Sequence, residues 1–366
     1  MKIRLITVSE IREFIQNEFE HFRFQLPITP ERAASQAMNP HAKPGDPCLL
    51  LALGEADVLL GYLGVLPLGE ISAGARLFGT SCWWVDPLKG RGAAMPLFYR
   101  MMDLTQGNLL FFDLTGQTAG LLGNLGAFYL FPEKEGVYGW FRSGFTRRHG
   151  KTAGFDGAVY YMLATFDLLF NLITGWRIRG WLRKIRLEED QIRVLCTPMP
   201  DEETGLFLQK LAEENFLIRT KQEIEWILSK PWIIQVRKPH EPRANYAFSW
   251  HANSFETSCL KVSSDSGVIG FAIVTNRDGI CKVPLMYALS GQGEKIAAAV
   301  LQNIIESGAH GIISWNADIL HLINNSAMPF IRRRKAIKRM AVAEKLRNEI
   351  PNEWQAQDGD GDGIFT

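Results

Sequence analysis

The run Leu77–Pro96, LFGTSCWWVDPLKGRGAAMP, constrains this chain more than any other segment. An apolar extended stretch, LFGTSCWWV, breaks at Asp86-Pro87. It then passes through the turn Lys89-Gly90-Arg91-Gly92-Ala93-Ala94 into a helical pattern, MPLFYRMMDL. A strand that feeds a glycine turn and then a helix start aims several backbone N–H groups at one point. The helix dipole adds partial positive charge there. Gly90 and Gly92 let a ligand come close to the backbone, and Lys89 and Arg91 add mobile charge. The turn is therefore expected to cradle a phosphate or pyrophosphate. A six-residue glycine turn also serves as an ordinary strand-to-helix connection, so its neighbours have to decide.

Those neighbours fall in a definite order. Apolar strands are expected at Cys48–Leu53 and Val58–Leu66, and a polar turn at Gly69–Arg76 leads into the third, which makes a meander. After the helix comes another buried-type strand, Leu109–Leu114. A helical stretch and the segment Trp140-Phe141-Arg142-Ser143-Gly144-Phe145 follow. Over roughly Leu49–Leu163 this order resembles the GCN5-related N-acetyltransferase (GNAT) superfamily. Its coenzyme A signature, Gln/Arg-x-x-Gly-x-Gly/Ala, falls on Lys89–Ala94, with Lys in the first place. Trp140–Phe145 is similar to the family's Tyr-x-x-x-Gly-Phe, the end of a helix, with Trp where Tyr is usual.

The resemblance implies a mixed α/β (α+β) sheet fold and binding of acetyl-coenzyme A, or another acyl-coenzyme A, by Lys89, Gly90, Arg91, Gly92, Ala93 and Ala94. It implies an oxyanion donor among the backbone N–H groups near Trp84 and Val85, with coenzyme A lying between that strand and Leu109–Leu114. The acceptor implied is a primary amine of a small molecule. An amino sugar is suggested by two-domain bacterial members. No cysteine or serine stands in a nucleophile motif, so direct attack is expected.

Acyl transfer to an amine needs a base, donors for the carbonyl oxygen, and a fate for the thiolate. Glu70 and Asp113 are the candidate bases. Asp113, in LLFFDLT, is the one ionisable group of an apolar run, where burial favours a carboxyl that keeps its proton. The indole of Trp140 cannot act as the acid, which leaves Tyr138 or Tyr129. Each of these residues also has a plain structural role, as a turn cap or a packed ring.

At 366 residues the chain is long enough for two domains, and 46% hydrophobic residues can fill two cores. A strand at 158–164, AVYYMLA, is expected to close the first domain, 1–165. Residues 166–190 form an amphipathic helix, and 191–366 repeat the meander–helix–strand–helix order as a second copy. In that copy the equivalent turn is Ser290–Lys295, where Glu294 would repel a pyrophosphate, so the second half is expected to be degenerate. The segment 166–186 mixes Trp176, Trp181 and five basic residues with apolar ones. A linker helix between domains is the preferred reading, and a membrane-surface helix is the other.

Five scattered cysteines read as buried thiols of a reducing, cytoplasmic compartment. The seven histidines show no metal-ligand spacing, so no metal is expected. A net charge of +1 gives no field for nucleic acid, and the basic run Arg332–Arg339 reads as an exposed late strand. Asp358-Gly359-Asp360-Gly361-Asp362-Gly363 copies half a calcium loop without its closing Glu. It reads as a polar turn, with Ile364-Phe365 adding to a final strand. Two rival functions remain on the sequence alone. One is a non-catalytic acyl-coenzyme A sensor or scaffold. The other is an aminoacyl transferase of the FemABX kind, which would not need the glycine turn.

Overall fold

The computed structural model describes residues 1–22, 24–71, 74–144, 157–185, 192–236, 245–351 and 354–365. The chain divides into two compact units, and neither is one continuous stretch. Unit 1 takes Met1–Lys134, Leu208–Asn253 and Lys338–Thr366, and unit 2 takes Glu135–Phe207 and Ser254–Ile337. Each unit is built on a mixed sheet of seven strands with helices, as the mixed α/β expectation requires.

In unit 1 the strands are β1 (Lys2–Thr7), β2 (Pro47–Leu53), β3 (Leu59–Glu70), β4 (Arg76–Val85), β5 (Leu109–Phe111) and β6 (Phe128–Leu130). The meander β1 to β4 is antiparallel, and β5 joins β4 in parallel after the crossover helix α3 (Ala94–Leu104). Strand β2, PCLLLAL, is apolar at every position because both of its faces are covered, and all seven residues are buried. One face packs on α1 (Ile11–Glu18) and α2 (Pro30–Gln36) through Ile11, Phe14, Leu49, Leu51 and Tyr62. Helix α2 starts as its sequence dictates: Thr29 Oγ1 accepts from the Arg32 N–H, and Pro30 opens the first turn. Helix α4 (Gly116–Leu125) is likewise capped by Thr115 and stops at Gly126, φ 65°.

The sheet of unit 2 contains β7 (Lys134–Trp140), β8 (Arg193–Thr197), β11 (Phe255–Ser264), β12 (Gly267–Arg277), β13 (Ile280–Ala288), β14 (Gly311–Ser314) and β15 (Arg332–Lys338). Its helices include α5 (Gly157–Ile185), α8 (Gly293–Glu306) and α9 (Ala317–Asn325), and α8 carries eight buried apolar residues into the core. Unit 1 also takes the second half of α6 (Glu202–Glu214), α7 (Lys221–Ser229), and the short parallel pair of β9 (Ile234–Gln235) and β10 (His251–Ala252). Strand β15 is exposed along most of its length, as its run of basic residues predicts.

Each sheet takes in a strand from the other half of the chain. Strand β7 pairs with β14, from Gly311↔Trp140 to Ser314↔Val137. Gly139 makes room there for the Phe330 ring, since a Cβ would lie 2.2 Å from Phe330 Cε1. The strand β16 (Ala341–Ala343), fully buried, inserts between β5 and β6 of unit 1. The boundaries 1–165 and 191–366 read from the sequence run along the chain, and the sheets cross them.

Three local expectations are corrected. Residues 158–164 are helical, because inward positions at helical spacing (Asp167, Asn171, Thr174, Ile178, Trp181) tie the whole run to unit 2 as one 29-residue helix. Trp140 ends a strand rather than a helix, and Phe145 lies outside the described residues. Asp362–Phe365 is a turn of 3-10 helix whose Ile364 and Phe365 are buried; Phe365 stacks on Trp232 at 4.3 Å.

Candidate active site

Strands β4 and β5 pair at only two positions, Phe78↔Leu109 and Gly79↔Leu110. Beyond them the register gives β4 no partner on that side. On its other side β4 continues against β3 as far as Gly61↔Val85. The two parallel strands therefore part, and the cause lies at Ser81. Gly64 pairs with Cys82 and Val65 with Thr80, so Ser81 is an extra residue, a bulge that bends the strand.

Arg32 holds that bulge. Its buried guanidinium donates to the Ser81 carbonyl at 2.8 Å, to Ser81 Oγ at 2.7 Å and to the Tyr246 hydroxyl at 2.8 Å. It lies 3.9 Å over the Trp232 ring and 3.3 Å from Asp362. Arg32, Tyr246 and Asp362 were beyond the reach of sequence reading, because these partners lie 49, 214 and 330 residues from Arg32.

The end of β4 leads into the glycine turn. Asp86 Oδ1 accepts from the N–H groups of Lys89 and Leu88, both at 2.8 Å, and those bonds hold its carboxyl below the ordinary range. The Gly90 N–H bonds to the Asp86 carbonyl at 2.9 Å, and the Ala93 N–H to the Gly90 carbonyl at 2.9 Å. Gly90 is obligatory for the protein itself, since a Cβ there would lie 2.3 Å from the Leu60 carbonyl oxygen. Gly92 differs. It has φ 87°, and a Cβ would meet nothing within 4 Å. Helix α3 begins at Ala94 after Ala93, and no side chain caps it. An open approach at Gly92, an uncapped helix start and two flanking cations, Lys89 and Arg91, form a cradle that fits a pyrophosphate.

Unit 2 repeats the parting of strands, with β13 and β14 paired only from Ile280↔Gly311 to Lys282↔Ile313. Its helix start is closed. A Cβ on Gly293 would lie 2.4 Å from Asp318 Oδ2, so a carboxylate of the chain occupies the N-terminus of α8. Glu294 adds a second negative charge in the same first turn.

The structure brings Trp84, Val85 and Lys89–Ala94 together at one end of β4. Asp113 lies four residues past Leu109, beyond the last paired position of β5. It is exposed, with φ 56°, and so is not the buried carboxyl the apolar run suggests: the chain turns away as β5 ends. Glu70 pairs with Arg76 at the opposite end of β4, about 30 Å along the strand from Val85. It is exposed, and its carboxylate lies 3.5 Å from Lys43. Tyr138 is in β7, paired with Ile313 in unit 2 and stacked on Trp140 at 4.0 Å. Tyr129 is in β6 of unit 1, its ring under Arg347 at 4.2 Å.

Cys82 sits at the bulge, but burial pushes its thiol up, which removes it as a nucleophile. The Asp-Gly repeat is matched by cations of the chain: Asp358 pairs with Lys338 and Asp362 with Arg32. Among the described residues no group of three His, Cys, Asp or Glu could hold a metal ion. A cavity of about 620 Å³, lined by Met102, Gln106, Ala127 and Lys345, lies at the far end of α3 from the glycine turn and plays no part in this arrangement.

No family model matches the chain, and no curated protein does. Solved structures of GCN5-related N-acetyltransferases are among those similar to it. A putative acetyltransferase from Pyrococcus horikoshii is 14% identical, with 99% of this chain and 93% of that one covered and a TM-score of 0.48. A GCN5-related N-acetyltransferase from Anabaena variabilis is 12% identical, over 93% and 72%, with a TM-score of 0.49. The C-terminal domain of a putative lysylphosphatidylglycerol synthetase from Agrobacterium fabrum is 10% identical, over 94% of each chain, with a TM-score of 0.34. Likeness at this level carries no argument about chemistry, which rests on the geometry of the chain.

Proposed function

We propose that unit 1 is a GNAT-type acyltransferase domain that takes an acyl group from acetyl-coenzyme A, or a longer acyl-coenzyme A, to a primary amine of a small molecule. The observation that carries this reading is the uncapped start of α3 behind an open Gly92, at the mouth of the parting between β4 and β5. Backbone N–H groups of the turn, with Lys89 and Arg91, would hold the pyrophosphate. The bound thioester supplies the activated acyl group.

The edge of β4 from Thr80 to Val85, freed from β5 by the Ser81 bulge, offers backbone donors to the carbonyl oxygen near Trp84 and Val85. Arg32 acts on that edge only through Ser81, as a positioning residue. Asp113, just past the end of β5, is the candidate base for the proton of the attacking amine, directly or through one water. Glu70 and Tyr138 are candidate groups of lower rank, Glu70 because it lies at the far end of β4 and Tyr138 because it belongs to the other sheet. Unit 2, with Asp318 at its helix start, supports rather than repeats the chemistry.

Release of the coenzyme A thiol, followed over a panel of primary amines that includes amino sugars, tests the reading. Turnover with at least one amine, lowered in an Asp113→Asn variant, is expected. Binding of the acyl-coenzyme A without turnover on any amine would make the domain a sensor instead.

A further inference from the structure

Helix α5 is built inside out. The side it turns to unit 2 carries polar groups over its first five turns. Asn171 Oδ1 accepts from the Ser143 N–H at 2.7 Å, and its Nδ2 donates to the Ser143 carbonyl at 3.0 Å. Ser143 Oγ donates to the carboxylate of Asp167, and Asp167 and Thr174 are both buried. The side it turns to solvent is apolar: Met162, Phe166, Leu169, Leu172, Ile173 and Trp176 are each between 54% and 74% exposed. A helix of a water-soluble domain places these two faces the other way round. Exposed single leucines are ordinary, but a contiguous stripe of this size on one element marks a contact surface.

After Trp176 the outward face changes sign. Arg177, Arg179, Arg183 and Lys184 are exposed, while Ile178 and Trp181 point into the core. The helix has one acidic residue, Asp167, and that one faces inward. Aromatic rings bracket the apolar stretch, with Tyr160 and Tyr161 at one end and Trp176 at the other. Ring-flanked apolar surface beside a row of exposed cations is the pattern of a helix lying in the headgroup layer.

Pairing with a second copy fits less well. The spacing 162, 166, 169, 173, 176 starts like a coiled-coil seam, but its next positions are Gly180 and Arg183. The seam ends after about two heptads, short of the three to four a coiled coil sustains. Leu168 and Leu172 also widen the apolar arc beyond a two-stranded seam. No helix of the described residues is long and apolar enough to cross a membrane, and the bonds from Ser143 hold α5 along its own unit.

We infer that the outward face of α5 docks the protein on an anionic lipid bilayer, with its apolar stripe in the interface and its four cations on the headgroups. The inference is independent of the acyl-transfer reading. The test is co-sedimentation of the full chain with phosphatidylcholine vesicles, with and without phosphatidylglycerol. The protein is expected to bind the mixed vesicles and to lose about fivefold in affinity for each of Arg179 and Arg183 replaced by Gln. The double variant Phe166→Asp/Ile173→Asp, altered only at exposed positions, is expected to bind at least tenfold more weakly while keeping its melting temperature. Wild-type protein that does not sediment with the mixed vesicles overturns the inference. So does a dimer in sedimentation equilibrium that Ile173→Asp converts to a monomer, with vesicle binding unchanged.

Discussion

Gly92 offers the sharpest separation of a ligand site from an ordinary turn. Its φ of 87° is one that L residues avoid, so either Ala or Glu there costs about 1–2 kcal/mol of folding free energy. No neighbour stands within 4 Å of the new Cβ, so neither substitution adds a clash within the protein. Both variants should therefore melt roughly 2–8 °C lower than the wild type, and by equal amounts. They differ in size and in charge, and only the charge term responds to salt. A carboxylate about 5 Å from one pyrophosphate charge is repelled by about 3 kcal/mol at an effective dielectric constant of 20. Water and salt around this exposed turn reduce that to about 1.5 kcal/mol, or tenfold in affinity. Calorimetric titration of acetyl-coenzyme A into the wild type, Gly92→Ala and Gly92→Glu measures the gap. Affinity in Gly92→Glu should fall at least tenfold below Gly92→Ala, and the difference should narrow as salt rises. Equal affinities in the two variants, or a gap indifferent to salt, would refute the pyrophosphate cradle.

Four further outcomes are expected. Burial pushes the Asp360 carboxyl up to about 6 from 3.8, against the pull of Arg219, Lys134 and Lys338. An acid so raised favours the fold while it holds its proton, so its contribution is lost as pH rises from about 4 to 6. Asp360→Asn should stabilise the protein by on the order of 1–3 kcal/mol at pH 7 and not at pH 4, by chemical denaturation at both. Burial opposes the charge on Glu223, but His41 and Arg219 outweigh it and hold the carboxyl at about 2. Glu223→Gln should then lose stability at pH 7, with the difference from wild type shrinking as pH falls below about 4.5 in the same assay. Arg32→Met strips a buried cation from Asp362, Tyr246 and Ser81, and should cost about 3–5 kcal/mol, seen as a lower denaturation midpoint. Glu70→Gln should leave thiol release within about twofold of wild type, where Asp113→Asn lowers it by 10²-fold or more.

What the sequence disclosed and what it hid separate by range. The strand, turn and helix of Leu77–Leu104 were legible because each signal is local: an apolar run, a proline break, glycines and a helical pattern within thirty residues. The start of α2 is set by equally local means, the Thr29 cap and the Pro30 ring in the first turn. The degenerate second turn could be suspected from Glu294, but Asp318, which blocks it, is 25 residues from Gly293 and came into view only with the fold. Residues 158–164 misled because valine and tyrosine favour strands intrinsically, while the inward contacts of Asp167 to Trp181 impose a helix. Asp113 misled in the other direction. Its apolar neighbours are buried, yet one residue in a left-handed turn faces solvent.

The strand exchange bears on how the candidate site is assembled. Strand β16 lies between β5 and β6, so β5, one wall of the opening, has its outer edge completed by residues more than 200 positions later in the chain. Without β16, the described pairing leaves β5 bonded to β4 at two positions alone. The segment that brings β16 also brings Asp358 to Lys338 and Asp362 to Arg32, and Arg32 is the residue that holds the Ser81 bulge. Closing so long a loop costs only modestly more than closing a short one, because the entropy grows with the logarithm of length. Pairings so remote in sequence raise the contact order and so slow folding as a whole. The geometry of the opening thus depends on residues 338–365 as well as on the glycine turn: they complete the outer edge of β5 and pair with the guanidinium that holds the bulge.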